Sequence, residues 1–313
     1  MVSDDKDKDK NVIKSYDMKH AFLIMAHNEP EILNLLLSKL YHEDNVCFVH
    51  IDKKVSYGIK LKMCKIVEKY EGVIIDKPIN VKWGNYSQIK CEMLLFEEAF
   101  EYPVNFDYYH LLSGVDLPLY PIQYIHRFFE LHKGAEFFVI INEDSIDEKA
   151  GFERINYYHL YTCFGRRFTN ILLRTGFAAF SIKIQKMIGV SRCKSDINFS
   201  VYKGSNWCSI TRNAVEFLLS RKKDIFRRFK YTMCADEVYK QTIFMNSPFA
   251  KMRYVTSEDD RMKSNLREID WSRGNPYTWK EEDIALLSHS PNLFARKFSI
   301  HHRFVIDYIR EHI

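Results

Sequence analysis

The chain has 313 residues, of which 46% are hydrophobic and 15% aromatic, and this is enough to bury a large core. Its net charge of +5 suits an anionic small molecule or a membrane surface and is too weak to indicate nucleic acid, for which no motif is present. The seven cysteines stand singly and no apolar run reaches about 18 residues, so we expect a reduced, cytoplasmic protein that does not cross a membrane.

The predicted elements begin after a charged segment at the N-terminus. Residues 1–18 contain the run DDKDKDK and are predicted to be a disordered tail. Buried strands are then predicted at 20–27, 45–52, 72–76 and from 107 onward, with helices between them at 30–41, 59–70 and 88–100. This alternation predicts a parallel sheet with right-handed crossovers. No glycine-rich phosphate loop accompanies it, so any nucleotide must be held in another way.

The second half of the chain has a less regular pattern. It is predicted to contain strands at 135–141 and 206–211 and helices at 122–132, 212–220, 234–244 and 303–312. Because no repeat or linker divides the chain, residues 19–313 are predicted to form one large α/β domain. The regular order of elements in 19–120 is that of a nucleotide-binding half, and 121–313 form the other half.

The segment 154–194 interleaves basic and apolar side chains. This pattern is typical of an amphipathic surface that rests on anionic lipid. It is equally typical of a helix pair packed on the core, with lysine and arginine side chains reaching outward to solvent. The sequence leaves both interpretations open.

The strand that starts at Asp107 ends abruptly at Ser113 and Gly114, and Asp116 and Pro118 follow. Glycine and proline stop strand pairing and turn the chain. Open α/β sheets bind their ligands at such carboxyl ends of strands. We therefore predict a ligand site here, with a simple solvated aspartate as the alternative.

Two acids, Asp236 and Glu237, stand where a helix is predicted to start. A helix N-terminus favours negative charge, which would keep a carboxylate ionised and able to act as a general base. The pattern is also that of an ordinary helix cap followed by an acid in the first turn, which is the commoner case.

Two adjacent cations, Arg296 and Lys297, lie in the apolar segment LFARKF. Burying cations is costly unless an anion joins them, and a diphosphate is a natural counter-ion. The alternative is a pair of side chains that reach outward to solvent. Elsewhere, Asp52 at a strand end could accept a hydrogen bond from a ribose or base, and Trp83 could stack on a ring.

Six short motifs occur in a fixed order along the chain. They are HID (50–52), VKWGNYS (81–87), LLSGVDLPL (111–119), GSNWCSITR (204–212), ADE (235–237) and LFARKF (293–298). Together they resemble the core-2/I-branching β-1,6-N-acetylglucosaminyltransferase family, which includes the peptide O-xylosyltransferases, and suggest a bacterial member. The resemblance implies a GT-A-like fold with a Rossmann-type central sheet flanked by helices. It also implies an inverting transfer from a UDP-sugar without a metal ion.

The resemblance also assigns roles to the catalytic and diphosphate-binding positions. Glu237 matches the catalytic base of the family and Lys297 its diphosphate-binding lysine. The arginine that accompanies this lysine is assigned to Arg273, after a shift of one residue. Ser113 and Asp116 are expected to line the donor sugar or to support the turn beneath it.

The remaining assigned positions concern the nucleotide and the acceptor. Asp52 matches the acid that binds uridine, and Trp83 an aromatic residue near the nucleotide. The strand end beside the uracil corresponds to Ile24, Met25 and Ala26. Contact with the acceptor is assigned by position to Glu153, Arg154 and Trp207.

The resemblance also makes 121–313 the acceptor-binding and catalytic half. Together with the residue pattern and the charge, it gives the expected partners. They are a UDP-sugar carrying GlcNAc or xylose, a glycan or lipid-linked saccharide acceptor, and a membrane surface touched through 154–194, with no cofactor, no metal and no nucleic acid. A peripheral position at the inner face of the cytoplasmic membrane is compatible with this. Two alternatives stay open: a metal-dependent hydrolase that uses Asp52, Asp116 and histidines, and a non-catalytic protein that binds glycans or membrane surfaces.

Overall fold

The computed structural model of the protein describes residues 18–141, 148–192, 200–255 and 263–313. The tail predicted at 1–18 lies outside these ranges except for Met18, which is buried in the core. Cys193 and Lys194, at the end of the basic segment, also lie outside them.

The described strands alternate with helices through the first half of the chain. The strands are β1 (His20–Ala26), β2 (Asn45–Ile51), β3 (Val73–Ile74), β4 (Tyr108–Ser113), β5 (Asp116–Pro118), β6 (Ser209–Thr211), β7 (Arg267–Ile269) and β8 (Phe294–Arg296). The helices up to the middle of the chain are α1 (Pro30–Leu40), α2 (Tyr57–Lys69), α3 (Ser87–Glu101), α4 (Ile122–Leu131), α5 (Glu148–Asn156), α6 (Arg166–Arg174) and α7 (Phe177–Met187). They are followed by α8 (Arg212–Ser220), α9 (Lys222–Phe229), α10 (Tyr239–Met245), α11 (Ile284–Ser288) and α12 (Arg303–His312).

Five strands form the central sheet in the order β3-β2-β1-β4-β6. The first four run parallel and β6 runs antiparallel to β4. Because successive side chains of a strand point to opposite faces, the central strand β1 serves two core clusters. Phe22 and Ile24 share one cluster with buried residues of α1, α2 and α12, whereas Ala21 and Leu23 share the other with α3 and α8. The predicted α/β fold with a mostly parallel sheet flanked by helices is confirmed.

A second, three-stranded sheet joins distant parts of the chain in the order β5-β8-β7. Strand β5 follows directly after the turn that ends β4, and it pairs antiparallel with β8, so that Asp116 lies opposite Arg296. This pairing brings the segment 296–299 to the end of the central sheet.

The prediction of a continuous strand at 135–141 is wrong. Residues 136–140 are buried, but Glu136 and Phe137 form only isolated bridges, to Arg253 and Ser209. The Glu136 carboxylate accepts a hydrogen bond from the Thr211 backbone nitrogen at 2.9 Å, so side chain as well as backbone ties this segment down. An apolar run indicates that a segment is buried, and a buried segment need not be paired as a strand.

The helix predicted from residue 234 is divided in two. Residues Ala235–Glu237 form a single 3-10 turn, and α10 starts after it. Cys234 precedes the turn in the left-handed region, with φ 47°. The acids therefore belong to a tight turn and not to the first turn of an α-helix.

Candidate active site

A cleft of about 1170 Å³ opens at the carboxyl ends of β1, β2 and β4. Its volume is slightly above the usual range for small-molecule sites, and its place is the one that open α/β sheets use for ligands. It is lined by ten residues that the sequence singled out: Met25, Ala26, Asp52, Trp83, Ser113, Trp207, Asp236, Glu237, Arg296 and Lys297. The fold thus brings together side chains from distant parts of the chain.

Glu237 is held at the edge of this cleft by an ion pair. Its Oε2 atom lies 2.7 Å from a guanidinium nitrogen of Arg154, and about a third of its side chain is exposed. Its backbone carbonyl accepts a hydrogen bond from the Gly204 nitrogen at 2.8 Å. Gly204 passes so close to Val139 that a Cβ atom there would lie 1.7 Å from the Val139 carbonyl oxygen, so glycine is required.

Asp236 has a different environment from its neighbour. It is buried, and its Oδ2 atom accepts a hydrogen bond from Gln88 at 2.9 Å, whereas Oδ1 has no partner among the described residues. Burial, together with the charges of Glu237 and Glu92, raises the pKa of Asp236 to about 8. It caps no helix, so the helix-cap interpretation of the acid pair is wrong.

A turn from the first half of the chain fixes the turn that carries these acids. The Gly84 carbonyl accepts a hydrogen bond from the Cys234 nitrogen at 2.9 Å. Gln88, which bonds Asp236, also accepts from the Gly84 nitrogen at 2.6 Å. The motif VKWGNYS therefore positions the acids directly, in addition to placing Trp83 in the cleft.

A buried ion pair supports the same region from below. Lys240 and Glu92 are both fully buried and bonded to each other, and Tyr239 donates to Glu92 at 2.7 Å. Lys240 also donates to the side chain of Asn206, a residue of the cleft wall, at 2.8 Å. The wall around Glu237 is thus fixed by a connected polar network.

Asp116 lies beneath the cleft and does not line it. It accepts hydrogen bonds from the Ser113 backbone nitrogen at 2.9 Å and the Ser113 hydroxyl at 2.6 Å. A guanidinium nitrogen of Arg296 lies 2.8 Å from the same carboxylate, and this guanidinium stands 4.5 Å from the centre of the Trp207 ring. Asp116 therefore closes the strand-end turn and orients Arg296 on Trp207, and it is not placed to meet a ligand.

Arg166 and Lys297 are cations of the cleft that have no acidic partner among the described residues. Arg166 stands 5.7 Å above the Trp83 ring, and Lys297 makes no ion pair. Burial lowers the pKa of Lys297, and the nearby charges of Arg296 and Arg166 lower it further. We call Arg166 and Lys297 the candidate anion site; the first lies on α6 and the second in the segment that follows β8.

Asp52 is a buried carboxylate at the end of β2. It accepts hydrogen bonds from the backbone nitrogens of Lys54 at 3.0 Å and Val81 at 3.3 Å, and it lies 3.2 Å from the Lys54 ammonium group. These contacts hold the loop that carries Trp83. A carboxylate has about four acceptor sites, so it can still accept from a ligand.

Two histidines of the cleft stay neutral. The Ile79 backbone nitrogen donates to Nε2 of His50 at 2.8 Å, which requires a lone pair there. Burial lowers the pKa of His50. For His27, burial and the nearby charge of Lys54 lower the pKa.

Three of the remaining predicted residues also lie away from the cleft. Ile24 is fully buried in the core below it. Glu153 pairs with Lys186 at 2.6 Å. Arg273 is held by Asp270 and Asp283, with 2.7 Å between its guanidinium and Asp283. The structure therefore does not bring Arg273 to the anion site, where Arg166 and Arg296 are found instead.

Within the described ranges, one group of side chains has the spacing of a metal site. It consists of His42, Asp44 and His126, and none of the three lines the cleft. Asp52 and Asp116, the acids proposed for a hydrolase, do not share the cleft either, because Asp116 is sealed below it. The hydrolase alternative gains no support.

Sequence reasoning missed Arg166 as a site residue. It stands in the basic segment, where every cation has the same surroundings in the sequence, so no signal distinguishes it. The salt bridge between Arg154 and Glu237 joins residues 83 positions apart, so the local sequence pattern does not predict it. Arg296, by contrast, was singled out in the sequence together with Lys297, and it does line the cleft.

The fold and the cleft define an α/β protein in which a partly exposed carboxylate and several cationic side chains meet at the ends of the parallel strands. The chain belongs to the Core-2/I-Branching enzyme family, whose model matches residues 20–291. This is a family of glycosyltransferases, and the family resemblance seen in the six motifs is confirmed. In the described ranges, every helix is too short or too polar to span a bilayer.

The chain is similar to animal xylosyltransferases. Over 313 residues it is 24% identical to Xylosyltransferase sqv-6 of Caenorhabditis briggsae, covering 90% of this chain and 35% of that protein. Over 298 residues it is 22% identical to Xylosyltransferase 2 of Rattus norvegicus, covering 89% of this chain and 32% of the relative. The chain thus spans about a third of the length of the curated relatives it matches. A crystal structure of mouse Xyloside xylosyltransferase 1 covers 88% of this chain and 96% of its own, with 12% identity and a TM-score of 0.37, a likeness too loose to compare the two sites.

Proposed function

We propose that the protein is an inverting glycosyltransferase that moves a sugar from a UDP-sugar to a hydroxyl group of a glycan acceptor without a metal ion. The observation that supports this most strongly is the composition of one cleft. It contains a partly exposed carboxylate, Glu237, and two cations that lack acidic partners, Arg166 and Lys297. A general base and a counter-charge for a leaving diphosphate are the two groups that such a transfer requires.

The donor is proposed to lie along the strand ends. The nucleotide would contact Met25 and Ala26, with the ribose on Asp52 and the base near Trp83. The diphosphate would meet Lys297 and Arg166, with Arg296 adjacent. The diphosphate would supply the negative charge that stabilises the ammonium group of Lys297, which burial and two neighbouring arginines disfavour.

The transfer step is proposed to use Glu237 as general base. Glu237 removes the proton of the acceptor hydroxyl, the acceptor oxygen bonds to the anomeric carbon, and the bond from that carbon to the phosphate oxygen breaks. UDP leaves with the electron pair, and the cations stabilise its charge. Arg154 holds one carboxylate oxygen of Glu237, so the other is available to the acceptor.

The sugar is proposed to be xylose or GlcNAc. Several relatives are named xylosyltransferases, which makes UDP-xylose the first donor to test. The acceptor is proposed to be a saccharide, and Trp207 in the cleft wall offers an apolar ring face for it.

The test is a transfer assay with UDP-xylose and UDP-GlcNAc against a saccharide panel, in excess EDTA, with the parent protein and Glu237→Gln. We expect UDP binding to be equal in both, because the glutamine keeps the shape of the side chain. Transfer should fall by about 10²- to 10⁴-fold in the variant, the usual contribution of a general base.

Trp271→Phe, a mild change elsewhere in the cleft wall, serves as the matched control and should keep most of the activity. Near-normal transfer by Glu237→Gln would contradict the role of the base. Loss of activity in EDTA with recovery in Mn²⁺ would contradict metal independence, and binding of UDP without transfer to any acceptor would favour a non-catalytic protein.

A further inference from the structure

Helices α6 and α7, with the 3-10 turn before them, expose a continuous series of large apolar side chains. They include Phe164, Phe168, Phe177, Phe180, Met187 and Ile188, of which Met187 is 77% exposed. We call the outward face of residues 164–188 the hairpin surface. Clusters of exposed apolar side chains of this kind mark interaction sites in soluble proteins.

The orientation of this surface is fixed by the inner side of the hairpin. Ala178 on α7 is buried, and the side chain of Gln185 bonds the backbone of Tyr158 through two contacts of 2.8 and 3.0 Å. Thr169 on α6 is buried as well. Residues 177, 180, 184 and 187 share the opposite side at helical spacing, and they are therefore held outward.

The charge of the segment has one sign. Residues 157–192 contain six arginine or lysine residues and no aspartate or glutamate. Lys186 pairs with Glu153 from outside the segment. Arg167, Arg174 and Lys183 make no ion pair with the described residues, and all three are exposed.

We propose that the hairpin surface docks on a bilayer that contains anionic lipid. Aromatic and aliphatic side chains enter the boundary between head groups and acyl chains, while arginine and lysine beside them attract the negative head groups. A second copy fits this surface poorly, because a two-fold contact would place its cations against the same cations. The combination of apolar area with charge of one sign favours the lipid surface.

The hairpin also contributes to the cleft. Gly165, Arg166 and Asn170 line it, and they are close in the sequence to the exposed Phe164 and Phe168. Docking through the hairpin would therefore bring the cleft rim to the membrane. Given the proposed function, on which this consequence rests, the acceptor would be a saccharide whose carrier lies in the same bilayer.

The test is co-sedimentation of the full chain with vesicles of phosphatidylcholine alone or mixed with phosphatidylglycerol. We expect at least about tenfold stronger binding to the anionic vesicles, given the contribution of each cation near such a surface. Binding should weaken as salt shortens the range of the attraction.

Matched variants distinguish vesicle binding through the hairpin surface from vesicle binding through exposed apolar side chains in general. Phe180→Asp with Met187→Asp removes two outward side chains, and Leu131→Asp with Phe304→Asp removes two side chains that are each 72% exposed elsewhere. Binding should fall about tenfold or more in the hairpin variant and stay unchanged in the control. Arg167→Glu with Lys183→Glu should lose the preference for anionic lipid. Thermal stabilisation by UDP, measured in each variant, confirms an intact cleft.

Each outcome decides one point. Equal binding by the hairpin and control variants, or no binding to anionic vesicles, overturns the proposal even if UDP still stabilises the protein. Self-association that depends on Phe180 without vesicle binding also overturns it, in favour of a second copy. Vesicle binding without any effect of UDP would leave the surface in place and contradict the proposed function alone.

Discussion

Asp236 and Glu237 are adjacent in the sequence and have opposite environments. Glu237 reaches the cleft and is paired with Arg154, whereas Asp236 is buried with one oxygen unsatisfied. The raised pKa of Asp236 keeps it largely neutral near pH 7. The turn thus places a buried acid beside Glu237, the partly exposed acid at the edge of the cleft.

The buried carboxyl group makes stability depend on pH. The pKa of Asp236 is about 8 in the folded protein and near the ordinary 3.8 in the unfolded chain. Between these values the unfolded chain releases the proton first, so stability is lost as pH rises from about 4 to about 8. Asp236→Asn should remove this loss. Relative to the parent protein, the variant should gain at least about 1.4 kcal/mol in the free energy of unfolding between pH 4 and pH 8, the value of one pKa unit.

Thermal denaturation across this pH range measures the effect. Asp76→Asn, at an exposed position, is the matched control and should show no such trend. Equal pH dependence in the parent protein and in Asp236→Asn would mean that another group causes it.

The anion site gives a second prediction for single residues. Lys297→Met should weaken UDP binding by about 10- to 100-fold, because a hydrogen bond to a charged group contributes about 1.5–3 kcal/mol. Arg273→Met should leave binding nearly unchanged, since Arg273 is occupied by Asp270 and Asp283. Isothermal titration with UDP gives both values.

The reverse order of effects would support Arg273, the arginine chosen from the sequence, and would contradict a role of Lys297 in the site.

At this scale the sequence could predict that Glu237 and Lys297 would line one cleft, since each lies in a recognisable motif. It could not predict Arg166 or the role of Arg154, because their positions depend on how α5 and α6 fold back over the sheet.

At the scale of elements, the turn with the acids depends on a close approach between two backbones. Gly204 fits against the Val139 carbonyl, and its nitrogen bonds the Glu237 carbonyl. Gly204→Ala would force the segment 203–206 away, with an expected loss of about 3 kcal/mol in the free energy of unfolding and a larger loss of activity.

Gly58 offers a matched control, because an added Cβ atom there meets nothing within 4 Å. Gly58→Ala, inside α2, should stabilise the protein by about 0.5–1 kcal/mol. Chemical denaturation of both variants measures the difference in their free energies of unfolding. Similar values would show that the backbone at Val139 can move away from the added Cβ atom without a loss of stability.

The elements themselves were predictable to different degrees. Strands β1, β2 and β4 are long apolar runs ended by polar residues, and their bounds could be predicted closely. The segment 135–141 is just as apolar but pairs at only two isolated residues, so composition could not separate it from a strand. The single 3-10 turn at 235–237 was also beyond prediction, because its start depends on the left-handed conformation of Cys234.

At the scale of the whole molecule, the cleft is built from segments far apart in the chain. Glu29 accepts hydrogen bonds from the Ser299 hydroxyl at 2.8 Å and the Ile300 nitrogen at 3.2 Å. Pairing of β5 with β8 joins the same regions. The sequence could predict the parallel half of the sheet from its alternating pattern, but not this second sheet, because contacts between such distant residues leave no periodicity.

This arrangement predicts a common response to ligand. If UDP binds in the cleft, amide hydrogen exchange should slow in 25–29 and 296–299 together, because both segments line it. The exchange of α2, which lies outside the cleft, should stay the same. Protection limited to one of the two segments would contradict a donor site that spans them.

The pairing of β5 with β8 also sets an order of events during synthesis. A nascent chain can form β1 to β4 as these residues leave the ribosome, since their crossovers are local. The cleft wall formed by Arg296 and Lys297 is missing until β8 has emerged and paired with β5. A chain interrupted before residue 294 would lack Arg296 and Lys297, so the proposed diphosphate site would be incomplete in it.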